Sequence, residues 1–126
     1  MPTCVIIDDS ERIRDLTGQM LSEVGYDVHG AHDPASGLEL LQEKKPELIL
    51  LDWDLPKLGA LDVLTGTAEV ALPRPITILM AAEYDPTQFS LARAAGASSH
   101  VLKPFDRASF FDALRKAGID VLPGAA

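Results

Sequence analysis

Cysteine is almost absent from this chain. Cys4 is the only one in 126 residues, so no internal disulfide can form and a reducing compartment suits the protein. Cys4 lies in an apolar run, which marks it as a buried structural thiol. No apolar run approaches the roughly 20 residues of a membrane-spanning helix, which argues against a membrane role. Basic stretches are also missing. Lys and Arg number 11 against 19 Asp and Glu, and the net charge of −8 repels nucleic-acid phosphates. Met1-Pro2-Thr3-Cys4 has neither the basic start nor the small-residue cleavage site of a secretory leader, so a cytoplasmic location is expected. There is no linker, repeat or low-complexity segment, and residues 1–126 read as one unit with no second domain.

What is present is an alternation of two periods. Thr3 to Ile7 is a short β-branched run. From Ser10 to Val24, Ile13, Leu16, Met20 and Val24 recur at helical spacing, and Gly25 supplies a stop. Tyr26 to Ala31 is a weaker strand. Asp33-Pro34 opens a helix with an N-cap residue and a first-turn proline, and Ala35, Leu38 and Leu41 form its apolar face. Leu48 to Leu51 is a continuous apolar run ending in Asp52-Trp53-Asp54; Pro56 and Gly59 follow in a loop, then a helix from about Ala60 to Ala68. Ile76 to Ala81 is a fourth strand. Asp85-Pro86 repeats the helix-opening pair, and Gly96 ends that helix. Ser99 to Leu102 is a fifth strand, before a helix from about Asp106 to Ala117 that stops at Gly118. Five strand–helix units with apolar strands predict an α/β protein whose parallel sheet is covered on both faces.

In such a sheet, ligands gather beyond the carboxyl ends of the strands. Asp8 and Asp9 follow the first strand, Asp52 and Asp54 the third, and Lys103 the fifth. If strands one and three are neighbours, the carboxylates of Asp8, Asp9 and Asp52 and the Lys103 ammonium converge on one edge. Asp9 or Ser10 could cap the first helix, and any one aspartate after a strand is an ordinary turn residue. The combination is harder to ascribe to capping, because clustered carboxylates repel unless a cation intervenes.

The runs Val5-Ile6-Ile7-Asp8-Asp9, Leu50-Leu51-Asp52-Trp53-Asp54-Leu55-Pro56 and Ala95-Gly96-Ala97-Ser98, leading to Lys103-Pro104-Phe105, resemble the receiver domains of two-component signalling. The Asp52-Trp53 pair is similar to chemotaxis-type receivers. The resemblance implies a flavodoxin-like (βα)5 doubly wound sheet of five parallel strands in the order 2-1-3-4-5, standing alone without an output domain. It implies Asp52 as phospho-acceptor and Mg²⁺ or Mn²⁺ as cofactor. Asp9, Asp52 and the Asp54 backbone carbonyl would be direct metal ligands, with Asp8 acting through water. It also implies Lys103 as the phosphoryl-contacting cation, a cis bond before Pro104, and a histidine kinase or phosphotransfer protein as donor, with a downstream protein effector not identified by sequence.

The chain departs from the family pattern at two switch positions. A Ser or Thr hydroxyl is expected where Ala81 stands, and an aromatic rotor where His100 stands, which reads as a strand residue at a surface edge. Lys57-Leu58-Gly59-Ala60 replaces the usual acidic-glycine turn, and Asp54 and Glu83 lie near positions that tune phosphoryl loss. The family's partner face would include Tyr84, Phe89, Arg93, His100 and Phe110. His29 and His32 read as solvated residues of a strand-to-helix turn.

Three alternatives compete. A degenerate receiver would keep the fold as a phosphorylation-independent docking module. A haloacid-dehalogenase-like phosphatase would share Asp52-x-Asp54 but place it on the first strand. An FMN protein would need a phosphate loop where Asp8-Asp9-Ser10-Glu11 would repel it.

Overall fold

The computed structural model describes residues 1–55, 59–70 and 74–120, apart from the side chains of residues 67–70. The apolar runs form strands β1 (Thr3–Ile7), β2 (Asp27–Ala31), β3 (Leu48–Asp52), β4 (Ile76–Ala81) and β5 (Ser99–Leu102). Between and after them come helices α1 (Glu11–Glu23), α2 (Pro34–Lys44), α3 (Gly59–Val70), α4 (Pro86–Ala94) and α5 (Arg107–Lys116). The strands make one parallel sheet in the order β2-β1-β3-β4-β5. This is the flavodoxin-like arrangement, and its order reverses between β1 and β3.

Because strand side chains alternate, the sheet feeds two cores, one on each face. Cys4, Ile6, Leu48, Leu50, Ile78, Met80 and Val101 pack with Met20 and Leu21 of α1 and with Phe110, Phe111 and Leu114 of α5. Val5, Ile7, Ile49, Leu51, Leu79 and Ala81 pack with Leu41 of α2, Val63 and Leu64 of α3, and Phe89 and Ala92 of α4. Burying one such Leu, Ile or Phe side chain contributes roughly 1.5–3 kcal/mol. Burial also pushes the Cys4 thiol far above its ordinary pKa, as befits a structural residue.

Local chemistry sets the helix ends. Ser10, Asp33, Asp85 and Asp106 each accept a bond from a first-turn amide, and Pro34 and Pro86 occupy first-turn positions. Gly25, Gly96 and Gly118 have positive φ of 95°, 119° and 92°, which lets the chain turn out of α1, α4 and α5.

Several sequence expectations need correction. Leu16 is 41% exposed, and the buried face of α1 is Thr17, Met20 and Leu21. Ala35 is likewise exposed, and α2 buries Gly37 and Leu41 instead. Tyr26 precedes β2, because its amide closes onto the Leu21 carbonyl at the end of α1. His29 lies within β2, paired with Asp27, whereas His32 is exposed beside Asp33. The expected variant turn at Lys57 and Leu58, like Pro56, lies outside the described residues.

Gly37 marks where α2 crosses the sheet most closely. A Cβ there would lie 2.6 Å from Ile7 Cδ1, 3.0 Å from its Cγ1 and 3.2 Å from its Cγ2. Alanine improves helix propensity by about 1 kcal/mol, but overpacking a β-branched core residue costs about 1–3 kcal/mol. Gly37→Ala is expected to lose about 1 kcal/mol in urea unfolding; a gain in stability would show that Ile7 has room to yield.

Candidate functional site

The register brings the acidic residues together. Ile7 pairs with Leu51, so Asp8 emerges beside Asp52, and Asp52 itself pairs with Met80 of β4. Asp8 is fully buried. Its Oδ1 accepts from the Ser10 amide at 2.8 Å, and its Oδ2 accepts from Lys103 Nζ at 2.8 Å. Asp52 is 2% exposed; its Oδ1 accepts from the Asp54 amide at 2.9 Å and lies 3.4 Å from Lys103 Nζ. Asp9 is exposed at the rim. Asp8, Asp9 and Asp52 each offer a carboxylate oxygen, all within 4.8 Å of one another.

Lys103 is delivered by β5, where its amide bonds to the Ala81 carbonyl at 2.7 Å, and the Lys103–Pro104 peptide bond is cis. At the next residue of the same strand end, the Ala82 amide donates to Asp54 Oδ2 at 2.8 Å, tying the β3 loop to the turn after β4. Trp53 is half-buried against the core formed with α2, α3 and α4, and its amide bonds to the Met80 carbonyl.

Electrostatics follow from this crowding. Burial first, with the Asp8 and Asp9 charges, pushes the Asp52 carboxyl up to about 6, against the Asp54 amide and Lys103, which pull it down. Burial works to lower the Lys103 pKa, but its hydrogen bond to Asp8 and the charges of Asp52 and Asp8 outweigh this and leave it raised. The site thus holds an ammonium and more carboxylate charge than one ammonium can neutralise. All the donors to a cation here are hard oxygens, a set that fits a divalent ion such as Mg²⁺.

The switch positions differ from expectation in one respect. Ala81 is buried at the end of β4, where it carries no hydroxyl. His100, expected at a surface edge, is instead half-buried in a ring cluster. Its centroid lies 4.6 Å from that of Phe89 and 5.5 Å from that of Tyr84. Burial and the Arg93 and Lys116 charges lower its pKa, favouring a neutral ring. Of the expected partner face, Phe89 and Phe110 are core residues, while Tyr84 is 55% exposed and Arg93 is also exposed.

No sequence spacing singles out Arg14. Its Nη1 donates to the Asp8 carbonyl at 2.7 Å, and its stem crosses β2 where Gly30 has no side chain; a Cβ there would meet Arg14 Cδ at 3.1 Å. The available signal was Gly30 itself, since a glycine inside a strand marks close approach by another group.

Comparison with known proteins agrees with this geometry. Residues 4–115 match the family described as the response regulator receiver domain. The alkaline phosphatase synthesis transcriptional regulatory protein PhoP of Bacillus subtilis is 36% identical over 103 residues, covering 80% of this chain and 42% of that regulator. The chain spans less than half the length of the curated relatives it matches. Among solved structures, the chemotaxis protein CheY4 of Vibrio cholerae superposes with a TM-score of 0.84 at 22% identity, covering 93% of this chain and 98% of that one. A response regulator from Burkholderia pseudomallei, solved with a phosphorylated aspartic acid, a calcium ion and citrate, gives 0.82 at 24% identity, covering 94% of this chain and 69% of that one. At these identities the structural likenesses establish the fold; the family match covers most of the sequence. The chain belongs to the response regulator receiver domain family of two-component signalling.

Proposed function

We propose that Asp52 accepts a phosphoryl group in a divalent-cation-dependent reaction and that the phosphorylated domain signals by docking to another protein. The observation that carries this reading is the convergence of three aspartates from two adjacent strands with Lys103 reaching both buried carboxylates. Lys103 and the Asp54 amide hold Asp52 Oδ1, which orients the carboxylate for attack by Oδ2. That oxygen forms the new bond to phosphorus as the donor's bond breaks, and the electron pair leaves with the donor. Asp9, Asp52 and the Asp54 carbonyl would hold Mg²⁺ or Mn²⁺ directly, with Asp8 behind them. Such an ion, when bound, neutralises carboxylate repulsion and the charge on the phosphoryl oxygens. Lys103 pairs with a phosphoryl oxygen as a point charge.

In this reading residues 1–126 act as one receiver unit in the cytoplasm. The donor is a histidine kinase or phosphotransfer protein, and neither nucleic acid nor membrane is contacted by the unit itself. Among the described residues no helix is long and apolar enough to cross a membrane. The chemistry is a single self-phosphorylation and its reversal, without multiple turnover of phosphate esters.

The test is intact mass after incubation with Mg²⁺ and a small-molecule phosphodonor such as acetyl phosphate. A single phosphoryl adduct is expected on the wild type and none on Asp52→Asn or in excess EDTA. A second reading, a phosphorylation-independent docking module, draws on Ala81, which has no hydroxyl to offer a phosphoryl group. Absence of an adduct, together with no Mg²⁺ response in Trp53 fluorescence, would favour it.

A further inference from the structure

Asp54 makes two connections in opposite directions. Its amide donates to the acceptor carboxylate, Asp52 Oδ1, at 2.9 Å, and its own carboxylate Oδ2 accepts from the Ala82 amide at 2.8 Å. Ala82 opens the turn that runs through Glu83 and Tyr84 to Asp85, the N-cap of α4. A continuous path of two hydrogen bonds therefore leads from the acceptor to the start of α4, and Asp54 is its middle link. The neighbouring Ala81 side chain is a methyl group and cannot form a parallel connection.

The charge on Asp54 gives this link a direction. A backbone amide holding a carboxylate is an anion site filled by the chain's own side chain. Phosphorylation replaces the single charge of Asp52 with a group of roughly −1.5 to −2, by analogy with other phosphorylated side chains, two residues from Asp54. The like charges repel, while the Ala82 amide is a donor that a phosphoryl oxygen can use as well as a carboxylate can.

Resting on the acceptor role argued above, we propose that Asp54 is a positioning residue, an internal anion that occupies the Ala82 amide until a phosphoryl group on Asp52 displaces it. The exchange of one anion for another at Ala82 moves the turn and Tyr84, and so alters the surface where exposed Tyr84 packs on half-buried His100, without any hydroxyl at position 81. Tyr84 packs against both Phe89 of α4 and His100 of β5, so a shift of the turn is felt on both elements.

The experiment uses the whole chain, isotope-labelled, with saturating Mg²⁺ and beryllofluoride as a non-covalent phosphoryl mimic. Trp53 fluorescence reports binding; the Ala82 amide resonance and the Asp54 Cγ carbon resonance report the exchange. In the wild type both resonances are expected to shift on binding. Before binding, Ala82 amide exchange is expected to be about tenfold faster in Asp54→Ala than in the wild type, the fold-change of one lost hydrogen bond. Asp54→Asn, which keeps the size and an acceptor oxygen but not the charge, and Asp54→Ala should both bind beryllofluoride several-fold more tightly than the wild type.

A fluorescence response with unmoved Ala82 and Asp54 resonances would overturn the exchange while leaving the acceptor role intact. Equal beryllofluoride affinity in the wild type and Asp54→Asn would overturn the competition. Absence of binding in every variant would remove the acceptor role and this inference together.

Discussion

Lys103→Met is expected to destabilise the metal-free protein by about 3 kcal/mol and to lower its Tm by about 10 °C. Lys103 Nζ stands 2.8 Å from Asp8 and 3.4 Å from Asp52, and those carboxylates are 0% and 2% exposed. Removing one partner of a buried pair leaves an uncompensated charge, which typically costs 3–5 kcal/mol. The low end applies here because the lysine side chain keeps 20% of its surface in water. After the substitution the Ser10 amide still holds Asp8 and the Asp54 amide still holds Asp52, so the loss is electrostatic rather than a collapse of the turns. Two further arms separate charge from packing. Asp52→Asn in the same chain removes one carboxylate, so the double variant should lose clearly less than Lys103→Met alone. Saturating Mg²⁺ should recover part of the loss, since a bound cation supplies the missing positive charge. Urea unfolding in EDTA and in Mg²⁺ decides the matter; a loss below about 1 kcal/mol would mean that water already screens the site.

The elements legible in the sequence were those whose cause is local. Leu48 to Leu51 declares a buried strand by its uninterrupted apolar run, and Asp33-Pro34 and Asp85-Pro86 declare helix starts by capping chemistry. Asp8, Asp52 and Lys103 are legible because each lies at or just past the carboxyl end of a strand, and a parallel sheet puts all such positions on one edge. What escaped was set by neighbours far along the chain. Leu16 and Ala35 have helical spacing but face water, because the sheet's position rather than the helix's own pattern selects which stripe is buried. Its place in the sequence puts His100 at a surface edge, yet Tyr84 and Phe89 from the turn after β4 and from α4 fold over it. The bond from the Ala82 amide to Asp54 spans 28 residues, and no local spacing announces it. Arg14 behind Asp8 belongs to the same class, visible only through the missing side chain of Gly30.

Asp52→Asn is expected to raise stability in EDTA at pH 7–8 by about 2–3 kcal/mol, and this advantage should disappear as the pH falls. The Asp52 carboxyl has an ordinary pKa of 3.8 and is pushed up to about 6 in the folded chain, first by burial and then by the charges of Asp8 and Asp9. A raised carboxyl binds its proton more tightly folded than unfolded, so the folded state loses stability as pH rises from about 4 through 6. Above about 6 the whole penalty is present. A shift of about two units corresponds to about 3 kcal/mol, and partial access of water reduces this somewhat. Asp33 and Asp106 have lowered pKa values from bonds to the Ser36 and Ser109 amides, so their stabilisation is lost as pH falls through those values. They are common to both proteins and cancel in the difference. The stability gap between variant and wild type should therefore be largest at pH 7–8, shrink through pH 6 and approach zero near pH 4. Mg²⁺ should close it from the other side by stabilising the wild type more than the variant, with an apparent affinity that weakens below pH 6 as protons compete for Asp52. A gap independent of pH would place its origin in packing rather than charge. If it behaves as described, the folded chain carries a destabilising carboxylate at the end of β3 that a cation and a phosphoryl group can use, the usual trade between stability and activity at a working site.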